Sequence, residues 1–122
     1  VILTGSIPRN DVLCLMRECD LFIMPSISEG LNIAFLEALS MNKKIIVSNI
    51  DSFSLFFSEN YLKPFNCNTI LVDPYKINDI SNGITNQIYN NHINDFNKEF
   101  IDGELMIDNY IKLYESVLSK DI

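Results

Sequence analysis

The sequence has few positive charges. Nine lysine and arginine residues stand against 16 acids among 122 residues, which gives a formal charge of −7. Such a charge repels the phosphate backbone of nucleic acids and offers anionic lipids no basic patch. We therefore expect neither a nucleic acid nor a membrane surface as a direct partner.

Long apolar runs and paired cysteine motifs are also lacking. No run approaches the roughly 20 apolar residues of a membrane-spanning helix, and the opening VILTGSIPRN has neither a basic leader nor a small-residue cleavage site. Cys14, Cys19 and Cys67 are odd in number and lack C-x-x-C spacing, which disfavours a disulfide framework or a zinc site. We expect a cytoplasmic chain with reduced thiols, or one that a portion beyond these residues brings to the membrane periphery. A hydrophobic content of 48% suits a single domain over residues 1–122.

Four short apolar runs are typical of buried strands: VILTG at 1–5, DLFIMPS at 20–26, KIIVSN at 44–49 and NTILVDP at 68–74. Amphipathic patterns predict helices at 10–19, 31–41, 76–90 and 104–119, with a loop or short helical piece at 91–102. Strands and helices that alternate with long connections predict a doubly wound α/β fold, with a parallel sheet of about four strands flanked by helices. We expect residues 1–4 to pair directly with residues 21–24.

The stretch SISEGLNIAFLEALS, residues 26–40, places two glutamates around a glycine turn. Ligands of open parallel sheets bind in loops at the carboxyl ends of strands, and a helix that begins after Gly30 directs free N–H groups and its positive dipole end at them. A phosphate suits that helix end. The carboxylates of Glu29 and Glu37, ~8 to 10 Å apart along the axis, suit the hydroxyls of a long polyol ligand.

Each glutamate also has a purely structural interpretation. An acid near a helix start is favoured by the dipole, and an acid inside a helix often belongs to a solvated face. Glu37, however, lies between Phe35, Leu36 and Leu39 in sequence, an unusual setting for a charge that only contacts solvent.

The segment DLFIMPSISEGLNIAFLEALSMNKKIIVSN, residues 20–49, resembles the signature of a large family of retaining glycosyltransferases, which includes glycogen and sucrose synthases and bacterial lipopolysaccharide transferases. The shared features are an acid before an apolar strand, Pro-Ser, Glu-Gly, seven residues between the glutamates, Glu-Ala-Leu and a strand with a small-residue end. The helix MIDNYIKLYESVL is similar to the final helix of that family. The resemblance implies the donor-binding half of a two-domain GT-B enzyme, truncated at its N-terminus and without its acceptor-binding domain.

The resemblance also implies roles for particular residues. The partner would be a nucleotide-sugar donor, with Glu29 as the catalytic-site acid that holds a sugar hydroxyl and Glu37 as the acid that holds the ribose. The loop GSIPRN would lie beside the nucleobase, which makes Ser6 and Ile7 weaker candidates and leaves Arg9 as a surface charge. The backbone amides that would face the sugar and the diphosphate are those of Gly30, Leu31, Asn32 and Ile33.

The sequence departs from the family in its cations. Family members carry Gly-Arg and Lys-Gly ahead of this region, whose side chains neutralise the leaving diphosphate, and the 122 residues contain no such segment. We therefore expect the isolated chain to be inactive. No Asp-x-Asp pair is present to hold a divalent ion. The resemblance also implies catalysis without a metal ion, so we expect no metal or other cofactor.

Two other functions fit parts of the sequence. A non-catalytic module that binds a nucleotide-sugar or another protein would explain the missing cations. A phosphoacceptor receiver domain fits the length and the alternating order. It lacks the required acidic cluster, because only Asp73 lies at a comparable strand end.

Overall fold

A computed structural model of the protein describes residues 1–30, 32–58, 68–89 and 103–118. The loop or short helix predicted at 91–102 lies outside these ranges. Leu31, whose backbone amide is predicted to face the ligand, lies outside them too. No helix in the described ranges is both long enough and apolar enough to cross a membrane.

The elements alternate as predicted, and the doubly wound parallel α/β class is confirmed. Three strands form one parallel sheet in the order β1-β2-β3, with Leu21 opposite Lys44 and Ile45 opposite Thr69. In chain order the elements are α1 (Arg9–Glu18), β1 (Leu21–Met24), α2 (Ile33–Ser40), β2 (Lys44–Ser48), α3 (Asp51–Ser58), β3 (Thr69–Val72), α4 (Ile77–Tyr89) and α5 (Gly103–Leu118).

Within the described ranges the sheet has three strands rather than about four, because the run VILTG is not a strand. The side chains of Val1, Ile2 and Leu3 are exposed, and β1 pairs only with β2 among the described residues. The predicted pairing of residues 1–4 with residues 21–24 is therefore wrong. An apolar run becomes a strand only where its backbone meets a partner and its side chains meet a surface. Gly5 adopts φ 63°, a backbone conformation that a strand cannot continue through, four residues before the first residue of α1.

The central strand β2 holds the core together. Ile45 and Val47 point to one face of the sheet and Ile46 to the other, and all three are fully buried, as the continuous apolar run predicts. On the first face β2 packs with one residue of α1, three of α2 and one of α3: Met16, Phe35, Ala38, Leu39 and Phe53. The loop after β1 therefore leads into a helix that the core holds firmly.

Helix α4 covers the opposite face, where Gly83 comes very close to the sheet. A Cβ atom added at Gly83 would lie 2.9 Å from Cγ1 of Val72. One turn further along, the fully buried Gln87 donates from Nε2 to the carbonyl oxygens of Ile45 at 3.2 Å and Asn68 at 2.9 Å. Helices on both faces leave the carboxyl edge of the sheet as the exposed end at which loops meet.

Candidate active site at the carboxyl edge

Glu29 lies in the loop between β1 and α2, at the carboxyl edge of the sheet, as the sequence predicts. Its Oε1 accepts a hydrogen bond from the hydroxyl of Ser26 at 2.8 Å. Hydrogen bonds from the side chains of Ser26 and, more weakly, Asn32 hold the pKa of Glu29 below its ordinary 4.5, against the opposing effect of desolvation. The half-buried carboxylate is therefore ionised at neutral pH and suited to accept hydrogen bonds from hydroxyls.

The start of α2 lies directly after this loop and is capped by Asn32. Its Oδ1 accepts hydrogen bonds from the backbone N–H groups of Ala34 at 2.9 Å and Phe35 at 3.4 Å. Such a cap satisfies part of the helix start and leaves the dipole directed at the loop, since the first turn of α2 contains no acid.

The surface around this helix start is open. No heavy atom lies within 4 Å of a Cβ built on Gly30, and the side chain of Ile33 is 66% exposed. The backbone amides predicted to face a ligand at positions 30, 32 and 33 thus lie along an accessible stretch. Their contact with a sugar or a diphosphate remains a prediction.

Glu37 lies on the second turn of α2 and is paired with Arg9. Nη2 of Arg9, the first residue of α1, donates to Oε1 of Glu37. The Glu37 side chain is 18% exposed, so the interpretation as a freely solvated acid does not hold. Arg9 is exposed, as predicted, but it forms an ion pair across two helices and is more than an isolated surface charge.

Ser6 and Ile7, the weaker candidates, lie in the segment that leads into α1. Ser6 is exposed at a bend, and Ile7 is half-buried immediately before Pro8, the residue that precedes the first turn of the helix. They are close in the chain to Arg9, which reaches Glu37. A position beside a nucleobase remains a prediction for both.

The third loop at this edge, after β3, pairs its lysine with its own acid. Nζ of Lys76 lies 2.8 Å from Oδ2 of Asp73, whose other carboxylate oxygen accepts from the N–H of Tyr75 at 3.0 Å. The hydrogen bond to Lys76 lowers the pKa of Asp73, and the same contact raises the pKa of Lys76. In turn, Oδ2 of Asp79 accepts from the N–H of Asp73 at 2.7 Å. These contacts occupy Lys76 within its own turn.

Sequence reasoning missed two members of the site. Ser26 could have been found from the spacing Ser-x-x-Glu in PSISEG, which places a hydroxyl within reach of the carboxylate. The pairing of Arg9 has no local signal, because Glu37 is 28 positions away. Within the described ranges no group of three or more His, Cys, Asp or Glu side chains could hold a metal ion, and metal independence remains a prediction.

The family model of glycosyl transferases group 1 matches residues 1–102. The chain belongs to this family. The resemblance carried by residues 20–49 is thereby confirmed.

Two relatives of this group 1 glycosyltransferase chain are sugar transferases by name. The N,N'-diacetylbacillosaminyl-diphospho-undecaprenol alpha-1,3-N-acetylgalactosaminyltransferase of Campylobacter jejuni is 40% identical over 43 residues, 35% of this chain and 11% of that protein. The UDP-Gal:alpha-D-GlcNAc-diphosphoundecaprenol alpha-1,3-galactosyltransferase of Escherichia coli is 44% identical over 43 residues, again 35% and 11%. The matched region therefore spans about a tenth of each relative. No solved structure matches the chain significantly.

Replacing Ser26 with alanine in this member of the group 1 family should raise the pKa of Glu29 towards 4.5, because the largest cause of its depression is removed. A depressed pKa stabilises the fold at pH values above 4.5, and that contribution is lost as the pH falls through the folded-state pKa. The free energy of unfolding of the variant should therefore be lower than that of the wild type near neutral pH, and the two values should converge in acid. Carboxyl-resolved NMR titration measures the shift, with the exposed Ser28→Ala as the control. An unchanged Glu29 titration in Ser26→Ala would contradict the assignment.

Proposed function

We propose that residues 1–122 form part of the nucleotide-sugar-binding domain of a retaining glycosyltransferase. Membership of the family supports this proposal. The observation that carries it is the ionised Glu29 carboxylate, which Ser26 and Asn32 hold beside the open start of α2. An acceptor for hydroxyls next to a helix end that favours phosphate matches the two halves of a sugar diphosphate.

The proposed roles follow from charge and position. The diphosphate lies against the amides at the start of α2, at positions 30 to 33, where the helix dipole favours negative charge. Glu29 accepts a hydrogen bond from a hydroxyl of the donor sugar, and its negative charge stabilises the positive charge that develops as the bond between the sugar and the diphosphate breaks. Glu37, further along α2, accepts hydrogen bonds from the ribose.

Catalysis in this proposal needs more than these residues. Stabilisation of a leaving diphosphate is mainly electrostatic, and Lys76 at this edge is occupied by Asp73. We infer that a remaining part of the enzyme contributes the acceptor-binding domain and further cations, and that the isolated chain does not transfer sugar. A hexosyl donor, a cytoplasmic location and a role in polysaccharide assembly are part of the same proposal; the names of the relatives support this role.

A second candidate is a non-catalytic module that binds a nucleotide-sugar. The pairing of Lys76 with Asp73 favours it, because this cation at the carboxyl edge is already occupied. The two candidates share the donor site and differ in chemistry. Release of nucleoside diphosphate from a nucleotide-sugar by the complete gene product distinguishes them.

Titration calorimetry of the 122-residue chain with uridine, guanosine and adenosine diphosphates tests the shared donor site. We expect measurable heat with at least one of them at millimolar concentration, and the same affinity with magnesium or with a chelator. Inorganic phosphate is the matched control, because it offers the helix end an anion without a ribose. Absence of heat with all three nucleotides, or binding that requires magnesium, would refute the proposed site.

A further inference from the structure

Arg9 differs from the other cations of the described ranges in the acid that it contacts. It is the one that contacts a candidate site carboxylate, whereas Lys76 is paired with Asp73 and Lys43 donates to the carbonyl oxygens of Arg17 and Cys19. Arg9 lies outside residues 20–49, the segment that carries the family signature. The signature therefore assigns no role to the contact between Arg9 and Glu37.

The ion pair is a single-point contact. Nη2 of Arg9 donates to Oε1 of Glu37, and no second bond between the two side chains is present. A guanidinium offers five N–H donors and a carboxylate about four acceptor positions, so capacity remains on both. Oε2 of Glu37 is thus left with acceptor sites for hydroxyl groups.

The side chains of Arg9 and Glu37 differ in how far they are buried. Glu37 is anchored on α2, next to the fully buried Ala38, and only 18% of its side chain is exposed, against 69% for Arg9. Because the Arg9 partner is largely exposed, solvent screens the ion pair, which contributes little to folding stability. Its main effect is on the orientation of the carboxylate, since a free glutamate side chain samples several rotamers.

We propose that Arg9 is a positioning residue for Glu37, which holds Oε1 so that Oε2 faces the vicinal hydroxyls of the ribose. This inference rests on the proposed donor site. Fixing the carboxylate before the ligand arrives removes the entropic cost of ordering it on binding. The benefit applies to ligands that carry those hydroxyls, because only they use Oε2.

Comparison of a ribonucleotide with its dideoxy form provides the test. For the nucleoside diphosphate that binds the wild-type chain, calorimetry gives the ratio between the Kd of its 2′,3′-dideoxy form and its own Kd. Arg9→Ala should reduce this ratio about three- to tenfold, the net range of one ordinary hydrogen bond, because the variant loses the orientation of the acceptor and keeps the acceptor itself. Arg9→Lys should restore part of the ratio, and Arg9→Ala should have no further effect when Glu37 is already alanine.

Arg17→Ala is the matched control, because it removes the same charge from the same helix and leaves the backbone carbonyl that Lys43 uses. Circular dichroism of each variant verifies the fold. A ratio that stays constant in folded Arg9→Ala would overturn the inference, and so would an equal loss of affinity for both nucleotides, which shows an effect of charge alone. A wild-type chain that binds no nucleotide would overturn the proposed function and this inference with it.

Discussion

Glu37→Ala is expected to weaken binding of a nucleoside diphosphate by about 10- to 100-fold, because hydrogen bonds from vicinal hydroxyls to a carboxylate are of the strong, charge-assisted kind. Glu29→Ala should leave the affinity for the same nucleotide nearly unchanged. With the nucleotide-sugar as ligand, Glu29→Ala should lower the affinity about tenfold, since the sugar hydroxyl then loses its acceptor. Calorimetry with both ligands measures the two effects on the 122-residue chain.

Glu18→Ala is the control for this pair of variants, because it removes an exposed acid at the far end of α1. Its affinities should match those of the wild type for both ligands. The assigned roles would be refuted if Glu29→Ala and Glu37→Ala weakened the nucleotide and the nucleotide-sugar to the same extent. Reversed roles would appear as a loss of nucleotide binding in Glu29→Ala alone.

Gly83→Val should destabilise the fold by about 3 kcal/mol, because new methyl groups would have to enter a contact that is already closed. A Cβ at this position lies 2.9 Å from Cγ1 of Val72, which is 1% exposed and cannot move into solvent. Gly83→Ala should cost about 1 kcal/mol, since the overlap outweighs the better helix propensity of alanine. Urea unfolding monitored by circular dichroism measures both values.

Gly103→Ala is the matched control, because nothing lies within 4 Å of a Cβ at that helical glycine. It should be close to neutral. Combining Gly83→Ala with Val72→Ala should cost less than the sum of the two single changes, because the shortened side chain makes room for the new methyl group. A stabilising Gly83→Ala would show that α4 does not pack closely on the sheet.

Much of the fold could be predicted because it depends on local patterns. The continuous apolar run of β2 predicts a strand buried on both faces, and Ile45, Ile46 and Val47 are buried in that way. The run VILTG has the same local character and is not a strand. The difference lies in the partner, since β2 has a neighbour on each side and the first residues have none among the described residues.

The candidate site could likewise be predicted only where it depends on residues that are close in the chain. Glu29 and Asn32 could be placed from the sequence, because a loop and a helix start are defined by residues that are close in the chain. The pairing of Arg9 with Glu37 depends on how α1 and α2 approach each other, which no local spacing encodes.

The order of the three strands constrains how the chain can fold. Leu21 pairs with Lys44 and Ile45 with Thr69, so each pairing closes a segment of about two dozen residues, at a similar cost in loop-closure entropy. β2 takes part in both pairings, and neither outer strand can join the sheet before it. During synthesis from the N-terminus, the unit of β1, α2 and β2 emerges from the ribosome before β3. The half of the sheet that carries Glu29 and Glu37 is therefore available to assemble first.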